Sequence, residues 1–178
     1  MKKLCLFVSL VALISSCKKE ITELPPATQT GANTFGAIVN GELWAPQDFG
    51  AVNIGTKLEA RRNPTKDIII NARNFASSPT ETEFELRIKA VTTEGTYPFN
   101  TNVTHPSTAA SYAYFVKRKI SPLNEWITSA QYTGTVTITR IDTVNRFVSG
   151  TFQFNALNLY NDPQPLTVTD GRFDVKWQ

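Results

Sequence analysis

Glu83 and Glu85 stand two residues apart in a segment that alternates charged and apolar side chains, Glu83-Phe84-Glu85-Leu86-Arg87-Ile88-Lys89. On an extended chain that spacing puts both carboxyls on one face, about 6.5 to 7 Å apart by strand rise. Two acids about 5 to 9 Å apart are what glycoside hydrolysis requires, one to protonate the leaving group and one to attack or to activate water. Arg87 and Lys89 continue the same face, however, so the expectation is a solvated surface stripe and not a catalytic pair. His105, the one histidine of the chain, lies in Thr104-His105-Pro106. Zinc sites draw mainly on histidine and thiolate, and a lone histidine offers neither partner. With Ser107 or Ser111 it forms nothing like a nucleophile elbow, and it reads as a plain loop residue. Asp142, Asp162, Asp170 and Asp174 fall at expected turns or strand ends, and Asn158 to Asp162 is too sparse in acids for a calcium loop. The expectation is therefore a protein that is not an enzyme, with no catalytic residue, no metal and no cofactor.

The aromatic residues suggest binding instead. Tyr112, Tyr114 and Trp126 lie in neighbouring expected strands and form a candidate ligand platform of the kind that stacks on the apolar face of a sugar. The competing reading makes Tyr112, Tyr114 and Val116 the inward face of a strand. Asp142-Thr143-Val144 resembles the Asp-Ser/Thr-aliphatic acceptor pattern for O-glycosylation in exported proteins of the Bacteroidetes phylum, with Thr143 as acceptor.

The N-terminus carries an address. Lys2 and Lys3 precede an apolar stretch from Leu4 to Ile14 broken only by Ser9, shorter than the about 20 residues of a membrane-spanning helix. A basic start, a short apolar core and small residues before a break describe a secretory signal peptide. Ile14-Ser15-Ser16-Cys17 resembles the bacterial lipobox. That resemblance implies cleavage between Ser16 and Cys17 and acylation of Cys17 by palmitate-type chains. One acyl chain holds a protein only marginally and two or more make a stable anchor, which a diacylglyceryl group, usually with a third chain on the amine, supplies. The expected partner is thus the membrane, reached through Cys17, and the expected location is the cell envelope, as an outer-membrane lipoprotein facing the periplasm or the cell surface. Lys18-Lys19-Glu20 matches only in part the acidic export signal of surface lipoproteins, which leaves the face open. Cys5 and Cys17 are the only cysteines, so on this reading the mature fold has no disulfide and no thiol nucleophile.

Composition narrows the partners. The formal net charge of +3 is largely that of Lys2 and Lys3, which leave with the signal peptide. Near-neutral balance, with only Arg61-Arg62 and Lys117-Arg118-Lys119 as basic runs, excludes nucleic acid as an expected partner. Both runs read as solvated strand ends.

These residues need elements to position them, and from Thr34 onward the periodicity is two. Phe84, Leu86, Ile88 and Ala90 share one face; Val136 and Ile138 share another; Val148, Gly150, Phe152, Phe154 and Ala156 make a third. Strands are expected over Phe35 to Val39, Val52 to Ala60, Ile68 to Phe75, Ser111 to Lys117 and Glu125 to Tyr132 as well. Asn40-Gly41 and Asp142 to Arg146 read as hairpin connections, and Asp170-Gly171 as a turn dividing Leu166 to Trp177 into two strands. No window is convincingly helical. The fold class is all-β, a single antiparallel domain, with a two-sheet β-sandwich favoured and a closed meander β-barrel as the alternative. The expected organisation is a signal peptide over 1–16, a lipidated N-terminus and flexible tether over 17–33 with Pro25-Pro26 and few large apolar groups, and the β-domain over 34–178.

Several of these residues in order, Ala37-x-Val39-Asn40-Gly41-x-x-Trp44, Gly95-Thr96-Tyr97, Gly134-Thr135-Val136-Thr137-Ile138-Thr139 with Asp142, Val148-Ser149-Gly150-Thr151-Phe152-x-Phe154 and Thr169-Asp170-Gly171-x-Phe173, resemble a family of small Bacteroidetes lipoproteins classed as a domain of unknown function. The resemblance spans about residues 34 to 177. It implies a β-fold on a lipid anchor and brings no catalytic residue with it. The functional expectation is a lipid-anchored, extracytoplasmic β-domain, a non-catalytic binding module for a glycan or an apolar ligand. The alternative is an envelope structural or protein-interaction lipoprotein.

Overall fold

A computed structural model describes residues 21–49, 55–160 and 164–178. The signal peptide, the lipobox, Cys17 and Asp162 lie outside the described residues. Eleven strands run in order: β1 (Thr34–Val39), β2 (Glu42–Trp44), β3 (Leu58–Arg62), β4 (Ile68–Asn74), β5 (Glu81–Ile88), β6 (Gly95–Phe99), β7 (Tyr112–Arg118), β8 (Pro122–Ile127), β9 (Gly134–Asp142), β10 (Phe147–Asn158) and β11 (Leu166–Lys176). There is no helix among the described residues.

All strand pairs are antiparallel and belong to one continuous sheet that folds back over itself without closing into a barrel. The fold turns on β10. Its residues Phe147 to Phe154 pair with β9, while Leu157 and Asn158 pair with Ile127 and Trp126 of β8. One long strand therefore serves two layers, β6-β9-β10-β11-β1-β2 and β10-β8-β7-β5-β4-β3. The aromatic residues fill the space between. Phe35 of the first layer lies 5.5 Å from Phe84 of the second, and Phe84 stands 6.1 Å from both Phe152 and Phe154. Trp44 crosses from β2 to meet Phe84 edge-on at 4.6 Å and donates its indole N–H to Thr82 Oγ1 at 2.9 Å. Each such ring removed from water contributes about 1.5 to 3 kcal/mol.

The local signals explain most of these elements. Asn40 and Gly41 both have positive φ, 48° and 86°, as a two-residue hairpin turn matched to strand twist demands. Pro122 opens β8, where its missing N–H leaves the ladder intact. The expected strand over Glu125 to Tyr132 is shifted, because Ser129 N donates to Tyr132 O and closes a turn there. The expected hairpin at Asp170-Gly171 is also corrected: β11 runs straight through it. Opposite Gln153, between the pairs Phe152–Gly171 and Phe154–Val168, β11 carries one residue too many, a bulge with Asp170 at φ 52°. Glycine is needed beside it for space, since a Cβ on Gly171 would stand 2.5 Å from the Phe152 ring.

The segment before β1 differs from a free tether in its last third. Asp174, 1% exposed, accepts hydrogen bonds from Thr28 Oγ1 at 2.7 Å, Thr30 N at 3.0 Å, Gly31 N at 2.8 Å and Ala32 N at 3.0 Å. Composition alone makes this segment a linker; a single buried carboxylate on the neighbouring strand β11, opposite Thr34, holds it on the domain.

Candidate functional site

Alternation along β3, β4, β5 and β7 gives the second layer an outer face, and strand register aligns it into rows. One row reads Arg61, Ile69, Arg87, Tyr112; the next reads Glu59, Asn71, Glu85, Tyr114, Ile127. The charged stripe of β5 is thus flanked by polar partners on both sides and is not the open solvated surface expected from its own sequence. Glu83 is 6% exposed. Asn71 Nδ2 bridges the two carboxylates, 3.1 Å from Glu83 Oε1 and 3.2 Å from Glu85 Oε2. Glu83 also pairs with Arg118 and with Arg73, the latter at 3.3 Å. Tyr112 Oη donates to Glu85 Oε1 at 2.5 Å.

The loop between β6 and β7 lies over this face. His105 stacks on Tyr114 with ring centroids 3.7 Å apart and meets Tyr112 edge-on at 5.9 Å; its Nε2 is 3.5 Å from Glu85 Oε2. Val103 packs on the same group, formed by Tyr112, Tyr114, Val116 and Ile127. Burial disfavours the Glu85 carboxylate, but hydrogen bonds from His105, Tyr112 and Asn71 outweigh it and hold its pKa down to about 2. Burial and the adjoining carboxylate push the Tyr112 phenol well above its usual range. Asn71 thus ties the ionised Glu85 carboxylate to Glu83 in one hydrogen-bonded network.

The expected aromatic platform is divided. Tyr112 and Tyr114 are 0% and 5% exposed and face the loop, whereas Trp126 is on the opposite face of the layer, 5.8 Å from Phe115 and packed against the main core. Neither competing reading foresaw this: the two tyrosines point away from the main core and are covered by the protein's own loop. Thr143 is exposed at the tip of the β9–β10 turn. Asp142 shapes that turn by accepting from Val144 N at 3.0 Å and Asn145 N at 2.8 Å.

Beside the covered patch, a cleft of about 500 Å³, bordered by Pro106 of the loop, opens between Arg61, Arg62, Asn63, Ile69, Glu85, Arg87 and Gln178. The Arg61-Arg62 doublet was expected to be a solvated strand end. Here both line the cleft with Arg87: Arg61 shares the outer row with Ile69 and Arg87, whereas Arg62 belongs by register to the alternate row of Ile68 and Ile88. The signal that could have revealed this is the short Asn63 to Asp67 connection, from which the register of the hairpin can be counted. Among the described residues no group of three or more His, Cys, Asp or Glu converges as a metal site would.

Comparison with known proteins adds one relationship. No curated protein and no solved structure matches the chain significantly. A family model described as a domain of unknown function (DUF6252) matches residues 32–174, which covers every strand except the last two residues of β11. The chain therefore belongs to the DUF6252 family, a domain of unknown function.

Proposed function

We propose that this protein is a lipid-anchored, extracytoplasmic binding module that holds a glycan without transforming it, in the cleft between Arg61, Arg87 and Pro106. The anchor reading is supported by Lys2, Lys3, the apolar stretch to Ile14 and the Ile14-Ser15-Ser16-Cys17 motif, and it makes this family member an outer-membrane lipoprotein of Bacteroidetes type. The observation that carries the ligand reading is the cleft's lining. Three guanidinium groups, Asn63 and Gln178 offer directional hydrogen-bonding groups around one apolar floor residue, Ile69, and ligand sites commonly combine a shaped hollow with a few placed polar groups. A glycan suits that lining better than the apolar ligand also considered, since Phe35, Phe84, Phe152 and Phe154 fill the space between the layers. The non-catalytic reading is supported by the saturation of Glu83 and Glu85 within their network.

The test is an oligosaccharide-binding screen on the full chain in detergent, repeated with Ile69→Trp to fill the cleft. Saccharide binding that the substitution abolishes is the expected result; binding that survives it moves the site elsewhere. Intact-mass spectrometry of the membrane fraction, with Cys17→Ala as the control, tests the anchor separately.

The alternative of protein interaction or envelope structure is favoured by a different feature. Leu123 of β8, Leu157 of β10 and Leu159 just beyond the end of β10 are exposed, as are Ile120 and Tyr160. Exposed apolar groups that cluster are commonly interaction surfaces. Self-association lost on Leu157→Ser/Leu159→Ser would favour this reading.

A further inference from the structure

The cleft holds more positive charge than the protein neutralises. Its lining has three arginines, Arg61, Arg62 and Arg87, against one carboxylate, Glu85. Glu85 is already engaged by Tyr112, Asn71 and His105 and makes no ion pair with these arginines. Arg61 Nη2 donates to Asn71 Oδ1 at 3.0 Å, a neutral partner. Arg62 reaches only the Val91 carbonyl, at 3.4 Å, and sits 5.7 Å from the Trp177 ring. Arg87 meets Asp67 at 3.5 Å, but Asp67 is bound more closely by Lys89 at 2.8 Å.

Two guanidinium atoms are left over. The Nε of Arg62 and the Nε of Arg87 are buried and have no acceptor within hydrogen-bonding distance. They are the only buried side-chain nitrogen or oxygen atoms of that kind among the described residues, and both belong to residues lining this one cleft. A buried donor without a partner costs about 1 to 3 kcal/mol, more when charged, so a fold does not keep two at one place without consequence. A guanidinium presents its N–H groups as a planar fork that matches the two oxygens of a carboxylate or sulfate.

We propose that the cleft is an oxyanion site, in which Arg61, Arg62 and Arg87 recognise the carboxylate or sulfate of an acidic saccharide. This rests on the glycan reading above for the sugar, while the anion site stands on the arginines alone. Arg61, exposed at the mouth, makes the first contact; Arg62 and Arg87, fixed by their existing partners, supply the buried donors. Ile69, which register places between Arg61 and Arg87, takes the apolar side of the bound group. Asp67 holds Arg87 in place and is a positioning residue.

The test is calorimetric titration of the full chain in detergent at fixed ionic strength with four probes: trigalacturonate, its methyl ester, a sulfated disaccharide and free sulfate. Methylation removes the charge and keeps the sugar. The expected result is that at least one acidic saccharide binds about tenfold or more tightly than the ester, the difference that one charge-assisted contact can make. Arg61→Gln, at an exposed position, should weaken that acidic probe about tenfold and the ester several-fold less, so that the preference for acid over ester shrinks. Arg87→Lys, which keeps the charge and loses the fork, should weaken the acidic probe as well.

Equal binding of acid and ester would overturn the oxyanion site and leave the sugar reading standing. Free sulfate binding as tightly as the saccharides would keep the oxyanion site and remove the glycan. Silence from every charged probe, or binding indifferent to both arginine variants, would overturn the inference outright.

Discussion

The imidazole of His105 lies flat on the phenol ring of Tyr114, with centroids 3.7 Å apart and planes within 4° of parallel. The contact joins the β6–β7 loop, which starts from the first layer, to the outer face of the second. Stacked aromatic pairs contribute about 0.5 to 1.5 kcal/mol beyond the area they bury. His105→Ala should therefore raise the opening of residues 100–111 about fivefold, read as faster amide exchange confined to that loop. His105→Phe should restore most of the protection. Unchanged exchange in the alanine variant would mean that Val103 and Pro106 hold the loop without the stack.

Acid should unfold the protein over a definite window. Asp67 and Glu85 are opposed by burial but held down by their hydrogen-bond donors, chiefly Lys89 for one and His105 for the other, each to about 2. Asp174 is lowered too, by the donors gathered on it from the segment before β1 and from Ser149. A carboxylate whose folded pKa lies below its unfolded value stabilises fully above the unfolded value, and the contribution is lost as pH falls toward the folded one. The window thus runs from about pH 4.5 down to about 2, and Asp67 and Glu85 are each worth roughly 2 to 3 kcal/mol across it. Denaturant titrations at successive pH values should show this slope, and Glu85→Gln should flatten it by about one proton.

The alternation of β5, β9 and β10 is legible because each has one face on the main core. β7 is harder to read. Tyr112-Ala113-Tyr114-Phe115-Val116 is buried at every position, so its pattern does not say which face meets which cover, and the cover is a loop that no local period announces. Asp170-Gly171 misleads for a related reason: the glycine answers to the ring of Phe152 on another strand, not to a turn. The arginines of the cleft come from β3 and β5, with β4 between them, and their meeting depends on register. Individually they look like ordinary surface charges.

Gly171→Ala tests the bulge. Its methyl group would start 2.5 Å from the Phe152 ring, and overpacking of this kind costs about 1 to 3 kcal/mol. For a chain of this size that is a fall in Tm of about 3 to 10 °C. Adding Phe152→Leu should recover part of the loss despite being destabilising by itself, because the two residues share one space. Strict additivity of the two losses would show that Gly171 is needed for its backbone and not for room.

Asp174 gathers the chain before β1 onto the domain, and the prediction for it separates docking from folding. Its Oδ1 accepts from Ser149 Oγ at 2.7 Å within the sheet and from Gly31 N at 2.8 Å, while Oδ2 serves Thr28, Thr30 and Ala32. Asp174→Ala strands several donors at once, and about 3 kcal/mol of stability should go with it. Thr28→Val removes one hydroxyl and leaves the carboxylate its other donors, so it should cost about 1 kcal/mol. If Asp174 acts through the segment, limited proteolysis will cut between residues 21 and 33 in both variants, faster in Asp174→Ala, before any cleavage within β1 to β11. Cleavage that begins inside the strands of Asp174→Ala while the segment stays protected would mean that the Ser149 contact, and not the docked segment, is what the carboxylate secures.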